Sequence, residues 1–556
     1  MRRFNAFILV LFVLISSTGI HSQTVAEGWE ISAQFPVGDS LWGGWDLIVD
    51  LDLDNDGQME FIVSRDPSIS GVLSDRSAGQ LVYYYEVTGD NQYELRWTFQ
   101  APIRNNASNV YTSIAIGDID ADGLKELWFA TPLDLSDDPP NPKGMYVFEF
   151  DGTNFPSVPT ELWNYARPDN QLFLTSGLAI ADIDDDDEEE IVIQSRGDDG
   201  PPGSGQGRTM MVANSGGIDI GLGLGAFGIE FENSLNHIGG VVYDPRIVDF
   251  DNDGKNEIWI FTWDFFSLAI YEATETNTYN LQVEMDKIFE PEDFGHRRGM
   301  RFYDADGDGN LEFYTSGIQP DNGPRSQIFY IGSTDDVSAL TPSDVIILGG
   351  VDQPSDGSAV GDLDSDNLMD FIYIGRAPGQ DEGTRIYRME YSGSGPLSDS
   401  TSYDWSMFYE SDFLYADLRN LAITDLDNDG KMDVLVTRAN ALTADAPFLV
   451  ILENSIQTDV SESEPVIIGQ DYTLHQNYPN PFNPVTNIGF ETKKAGSVQI
   501  SVYNLTGEKV ATIFNQHVTP GRYNVLFDAS NLSSGTYFYT LQSEEFRATR
   551  MMSLMK

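Results

Sequence analysis

The chain has 556 residues, 41% of them hydrophobic and 12% aromatic, ample for several buried cores and at odds with intrinsic disorder. Its 31 Lys and Arg against 88 Asp and Glu give a formal charge of -57, which excludes a partner such as nucleic acid or an anionic membrane, because phosphate recognition needs clustered cations. Cysteine is absent, so stability must come from something other than disulfides, and no lipid can be carried on an N-terminal cysteine.

At the start of the chain, Arg2 and Arg3 precede an apolar stretch from Ala6 to Ile15, then small and polar residues with a cleavage point after Ser22. Residues 1–22 read as a secretory signal peptide, too short to span a bilayer, and no later segment reaches the length of a transmembrane helix. The mature chain is expected to be exported, with no transmembrane segment. Trp29 to Phe35 reads as a strand that lacks a hairpin partner beside it in sequence.

Seven acidic runs of the form D-x-D-x-D-G-x-x-(E/D) then follow, at intervals of 66, 64, 67, 55, 58 and 63 residues. Positions 1, 3, 5 and 9 are Asp52, Asp54, Asp56 and Glu60 in the first run and Asp118, Asp120, Asp122 and Glu126 in the second. They are Asp182, Asp184, Asp186 and Glu190 in the third, Asp249, Asp251, Asp253 and Glu257 in the fourth, and Asp304, Asp306, Asp308 and Glu312 in the fifth. The sixth carries Asp362, Asp364, Asp366 and Asp370, and the seventh Asp425, Asp427, Asp429 and Asp433. Alternate carboxylates on a tight loop converge on one point, and hard oxygen donors in that number suit Ca2+ better than a softer metal. The runs hold 32 of the 88 acidic side chains, so much of the negative charge is placed for neutralisation by cations.

Position 6 is glycine in five runs and Asn367 or Asp187 in the other two, as a left-handed backbone requires. Position 7 ranges over Gln58, Leu124, Glu188, Lys255, Asn310, Leu368 and Lys431, an indifference expected of a backbone carbonyl ligand. An EF-hand would need a glutamate at position 12 and flanking helices, whereas position 12 here is a strand residue such as Val63. Each run leads into a short apolar strand, among them Phe61-Ile62-Val63, Leu127-Trp128-Phe129 and Ile258-Trp259-Ile260, so each loop joins two strands of a hairpin. Hairpins such as Leu81 to Val87 with Tyr93 to Phe99 complete a four-stranded unit, except in the last repeat, where only Phe448 to Leu452 follows. Trp29 to Phe35 is expected to supply the missing strand and close a ring with no free edge.

The runs resemble FG-GAP or VCBS repeats, the calcium-loop blades of the integrin α-subunit propeller. The resemblance implies an all-β fold, a seven-bladed β-propeller over residues 23–455, with up to seven Ca2+ ions; the third run departs most from the pattern. Beyond a polar linker at 456–470, residues 471–556 carry Tyr472-Thr-Leu-His-Gln-Asn-Tyr-Pro-Asn-Pro-Phe-Asn-Pro484 and then period-2 strands such as Val498 to Tyr503 and Thr536 to Leu541, as in a small Ig-like β-sandwich. This region resembles the type A C-terminal sorting domain of the type IX secretion system. That resemblance implies a Gram-negative host, recognition by the outer-membrane translocon, and release of the mature protein or its display at the cell surface.

Catalytic signatures are sparse. Only His237 and His296 remain in the propeller, there is no H-E-x-x-H or G-x-S-x-G, and the loop acids are committed as ligands. Gly223-Leu-Gly225-Ala-Phe-Gly228 lacks the helix of a dinucleotide fingerprint, and Arg196-Gly197-Asp198 is too short a match to carry adhesion. Trp29, Trp42, Trp45, Trp263 and Trp405 are either inter-blade packing or platforms for sugar stacking. The expected function is a binding or adhesion scaffold for an extracellular glycan or protein, with a polysaccharide-degrading lyase or hydrolase as the alternative.

Overall fold

The computed structural model describes residues 24–36, 43–66, 81–101, 113–130, 145–163, 175–196, 208–216, 228–235, 242–262, 267–286, 288, 295–296, 299–318, 326–351, 355–375, 383–414, 418–438, 447–455 and most of 472–554. These residues form two compact units, Met1–Ile456 and Gln457–Lys556. No α-helix occurs among them, and no helix is long and apolar enough to cross a membrane.

The first unit is a seven-bladed β-propeller built from antiparallel sheets. Blade 1 runs Gly43–Leu51, Glu60–Asp66, Leu81–Gly89 and Gln92–Gln100, each strand pairing with the next. Blade 2 runs Ile114–Gly117, Glu126–Ala130, Met145–Glu149 and Glu161–Trp163, and blade 3 runs Thr175–Ala181, Glu190–Arg196, Arg208–Asn214 and Gly228–Ser234. Blade 4 comprises Val242–Val248, Glu257–Thr262, Leu268–Glu275 and Thr278–Met285. In blade 5, Arg301–Tyr303, Glu312–Ile318, Ser326–Ile331 and Ile346–Val351 are joined by Gly295–His296, which also pairs with the second strand. Blade 6 comprises Ser355–Gly361, Asp370–Gly375, Gly383–Tyr391 and Tyr403–Leu414, with Thr24–Val25 added along its outer edge. Blade 7 takes three strands from the end of the unit, Leu418–Thr424, Asp433–Arg438 and Pro447–Asn454, and its fourth from the beginning, Trp29–Pro36.

The second strands read as near-continuous apolar runs because both their faces are covered by neighbouring blades. Glu257–Thr262 and Asp370–Gly375, for example, are buried at every position, the leading acid included. Seven apolar clusters occupy the seams, one between each pair of adjacent blades and a last one between blades 7 and 1. Phe61, Val63 and Tyr85 of blade 1 there meet Leu435, Leu449 and Ile451 of blade 7. The ring is therefore closed by packing as well as by pairing.

The outer edges are irregular by design. Between the third and fourth strands the register slips in blades 1, 3, 4, 5, 6 and 7, and Leu95, Ile229, Leu281, Ile347 and Met407, all exposed, sit beside these bulges. A bulge increases local twist and spoils the edge as a template for further pairing.

The second unit is an Ig-like sandwich. One sheet orders Tyr472–Leu474, Val485–Thr492 and Gly521–Asp528; the other orders Lys509–Val518, Gly496–Asn504, Gly535–Gln542 and Arg547–Leu554. Two residues of the Asn-Tyr-Pro-Asn-Pro-Phe-Asn-Pro segment are structural: Asn477 is buried and donates from Nδ2 to Thr486 Oγ1 at 3.0 Å, and Phe482 enters the core beside Phe527.

Trp29 fixes the closing strand in place, 9% exposed and edge-on to Phe408 with ring centroids 4.8 Å apart. Burying such a side chain stabilises by roughly 3 kcal/mol, so loss of the strand removes this term along with its ladder to Pro447–Asn454. Deleting residues 28–36 should lower the thermal midpoint of the whole propeller, read by calorimetry; an unchanged midpoint would show that the ring does not depend on this strand.

Candidate metal sites

Each acidic run forms the loop between the first and second strands of its blade, and the same three hydrogen bonds shape all seven. The position-1 aspartate accepts from the backbone N–H of position 6 at 2.9–3.3 Å, from Gly57 onto Asp52 through to Gly430 onto Asp425. The position-5 aspartate accepts from the N–H of position 7 at 2.8–3.0 Å. The position-9 acid accepts from the N–H of position 2 at 2.7–3.0 Å, as Glu60 does from Leu53 and Asp433 from Leu426.

The backbone follows from these bonds. Position 6 is left-handed throughout, Gly57 at φ 86° and Gly254 at 88°, with Asp187 at 70° and Asn367 at 66° taking the same conformation at a cost glycine avoids. Position 4 is left-handed as well, in Asn55, Ala121, Asp185, Asn252, Gly307, Ser365 and Asn428. The residue types at position 4 do not announce this, and the sequence reading placed the requirement at position 6 alone.

Position 2 locks each loop to the following blade. Ile119, Ile183, Phe250, Ala305, Leu363 and Leu426 are buried in the apolar seam between their own blade and the next, and Leu53 packs against the corresponding cluster. Further ties cross the same seams from the next blade. Asn91 donates its backbone N–H to Asp427 Oδ2 at 2.9 Å, Asn277 to Asp184 Oδ2 at 2.5 Å and Val337 to Asp251 Oδ2 at 2.8 Å.

The donor set fits a hard cation. Ligand oxygens of Asp52, Asp54, Asp56 and Glu60 lie within 4.8 Å of one another, as do those of Asp118, Asp120, Asp122 and Glu126 and those of Asp249, Asp251, Asp253 and Glu257. At that spacing each like-charged pair costs about 3 kcal/mol at an effective dielectric of 20. The position-9 acids are almost wholly buried, and in five of them the second oxygen has no hydrogen-bond partner: Glu60 Oε1, Glu126 Oε1, Glu190 Oε1, Glu257 Oε1 and Asp433 Oδ1. Asp118 Oδ1, Asp249 Oδ1 and Asp425 Oδ1 at position 1, and Asp184 Oδ1 and Asp364 Oδ1 at position 3, are buried and unpartnered in the same way. Oxygens left bare inside acidic loops are what calcium coordination requires.

The third loop brings together Asp182, Asp184 and Asp186, with Glu190 behind them on the N–H of Ile183. In the seventh, Asp427 and Asp429 meet Asp90 and Glu453, two acids that the motif does not contain. Glu453 belongs to a wider set: Glu86, Glu149, Glu272, Glu390 and Glu453 all stand on third strands directly opposite the position-9 acid. Sequence spacing hides this set because the connection between second and third strands varies in length. In blades 4 and 7 the position-7 lysine bridges the position-5 aspartate and this glutamate, Lys255 lying 2.8 Å from Asp253 and 2.9 Å from Glu272, and Lys431 joining Asp429 and Glu453. In the sixth loop, Arg388 ion-pairs with Asp364 and Asp370.

Of the tryptophans, Trp29 and Trp45 are buried, with the Arg419 guanidinium 5.0 Å from the Trp45 ring. Trp405 is 36% exposed on the outer strand of blade 6, packed over Gly349 of blade 5. Trp42 and Trp263, His237, Gly197-Asp198 and residues 223–227 lie outside the described residues, as do the signal segment and the linker.

Comparison with known proteins agrees with this architecture. Residues 362–436 match the model of the FG-GAP-like repeat, and residues 476–553 match that of the secretion system C-terminal sorting domain. The chain thus carries an FG-GAP-like repeat across blades 6 and 7 and a secretion sorting domain after the propeller, and the tail marks it as cargo of the type IX system. No curated protein matches it in sequence. Among solved structures it is similar to a β-fructofuranosidase from Schwanniomyces occidentalis bound to fructosyl-erythritol, at 8% identity and TM-score 0.31 over 96% of this chain and 93% of that one. A GH32 β-fructofuranosidase from Bombyx mori is similar at 11% identity and TM-score 0.30, over 96% and 90% of the two chains. An α-L-arabinofuranosidase from Lactobacillus brevis is similar at 11% and 0.29, over 50% and 90%. Superpositions this loose transfer no chemistry.

Burial pushes the position-9 acids far above their ordinary range, Glu60 and Glu312 to about 7, Glu257 and Asp433 to about 8, Glu126 and Glu190 to about 9, with the neighbouring loop aspartates adding to the rise. Without metal, the fold therefore holds protons that the unfolded chain releases near pH 4.5 from the glutamates and 3.8 from Asp433, so its stability is fullest at the acid end and falls as pH rises through the folded values. In chelator the melting midpoint should be higher at about pH 6 than at about pH 8.5, and excess calcium, which displaces those protons, should erase or reverse the order. A metal-free midpoint that climbs with pH would contradict this account.

Proposed function

We propose that the protein is a calcium-fastened propeller, exported by the type IX system to the outside of a Gram-negative cell, where it serves as a binding or adhesion scaffold. The observation that carries the calcium part is the recurring pair of buried, unpartnered oxygens, one on position 1 and one on position 9, which recurs in the second, fourth and seventh loops. Each loop concentrates about four carboxylates on one point, and a divalent ion relieves their repulsion while tying the loop to the next blade through position 2.

The binding part rests on where the chain varies. The acidic loops lie at one end of the sheets, together with the two-residue turns that join third and fourth strands in blades 1 and 4. At the other end the second strands finish and the third strands begin, joined in sequence by residues 67–80, 131–144, 197–207, 263–267, 319–325, 376–382 and 439–446. These segments differ in length and composition from blade to blade, while the acidic loops keep one length and one motif. A ring whose strands are joined by unlike segments is suited to recognising an extended glycan or a protein surface. The sorting tail supports delivery to the place where such ligands are met.

Chelation should lower the thermal midpoint of the purified protein sharply, and readdition of calcium should restore it; a midpoint indifferent to chelator would remove calcium from this reading. Incubating the protein with a panel of extracellular polysaccharides separates scaffold from enzyme. Retention of a glycan without product release is the expected outcome, and release of shortened sugars would replace the scaffold by a lyase or hydrolase.

A further inference from the structure

The seven loops share their backbone but not the surroundings of their buried acid. On the third strand, the residue facing position 11 of the run is Tyr84, Val147, Val212, Ile270, Tyr330 or Ile451 in six blades, and Arg388 in blade 6. A guanidinium thus stands where the other blades place a phenol ring or an aliphatic chain. Its Nε donates to Asp370 Oδ1, the position-9 oxygen that is bare in five of the other loops. Its Nη2 lies 2.8 Å from Asp364 Oδ2 at position 3 and 3.2 Å from Glu390 Oε2 on its own strand. Asp370 is fully buried, so its charge needs a partner, and Arg388 supplies one from within the chain.

We propose that the sixth loop, Asp362 to Asp370, is closed by the Arg388 guanidinium in place of a divalent ion, so that this blade is held without calcium while the others use it. The proposal rests on the calcium reading of the remaining loops. Calcium takes six to eight oxygens at about 2.3–2.6 Å, and here two of the four side chains that would supply them already face a fixed positive charge. An ion bound to the same two carboxylates would sit within a few ångströms of that charge, where repulsion opposes its entry. The lysines of blades 4 and 7 differ in kind. Lys255 and Lys431 engage position 5 from the exposed side and leave Glu257 Oε1 and Asp433 Oδ1 without a partner. Arg388 is less exposed and reaches the buried acid itself.

Counting bound calcium in the full-length protein tests this directly. The parent, Asp54→Asn, Asp364→Asn and Arg388→Gln forms would each be equilibrated with excess calcium, desalted and measured by elemental mass spectrometry. Asp54→Asn should lose one ion per chain, Asp364→Asn should lose none, and Arg388→Gln should gain one. Loss of an ion in Asp364→Asn equal to that in Asp54→Asn would overturn the proposal while leaving the calcium reading intact, and so would an unchanged count in Arg388→Gln. A parent without calcium would overturn both. Should Asp364→Asn fail to fold, the Arg388→Gln count still decides, because that variant keeps all four loop acids.

Discussion

A carboxylate buried at the head of each blade's second strand is the constraint on which the rest of this molecule depends. Glu60, Glu126, Glu190, Glu257, Glu312, Asp370 and Asp433 each spend one oxygen on the N–H of position 2, which pins the loop, and hold the other inside the protein. An isolated charge there would be expelled or neutralised. The fold offers three ways to satisfy it: a proton, a metal ion, or in blade 6 an arginine. Which of them acts decides how firmly the loop holds its blade.

The loop is also the place where blades are joined. Position 2 carries its apolar side chain into the seam with the next blade while its N–H is held by the buried acid, so the chemistry of one loop and the packing of one seam meet in a single residue. The bonds from Asn91, Asn277 and Val337 to the position-3 aspartates add a second tie in three seams. The two ends of the propeller chain meet within blade 7, where Trp29–Pro36 pairs with Pro447–Asn454.

Such fastening suits a chain without cysteine that works outside the cell. The charge of -57 is not spread evenly, since 32 of the 88 acids sit in the seven loops. The sandwich that follows is a separate unit with its own core, and two residues of its proline-rich segment, Asn477 and Phe482, are built into that core.

The seven runs, their positions 1, 3, 5 and 9, the glycine at position 6, the all-β class and the sorting tail were all legible in the sequence. Each rests on residues close together along the chain, where spacing translates directly into local geometry. The left-handed position 4 was not legible, because Asn, Ala, Asp, Gly and Ser all occupy it. The third-strand glutamates, the Asp90 and Glu453 contribution to the seventh loop, and the grip of Arg388 on Asp370 were likewise invisible. They arise from strand pairing and blade packing between residues separated by connections of unequal length, and a charge brought close by such pairing leaves no fixed interval in the sequence. The sequence alone therefore determined that this protein repeats an acidic loop seven times; only the tertiary structure decided that in one of those loops a side-chain cation, Arg388, meets the buried acid.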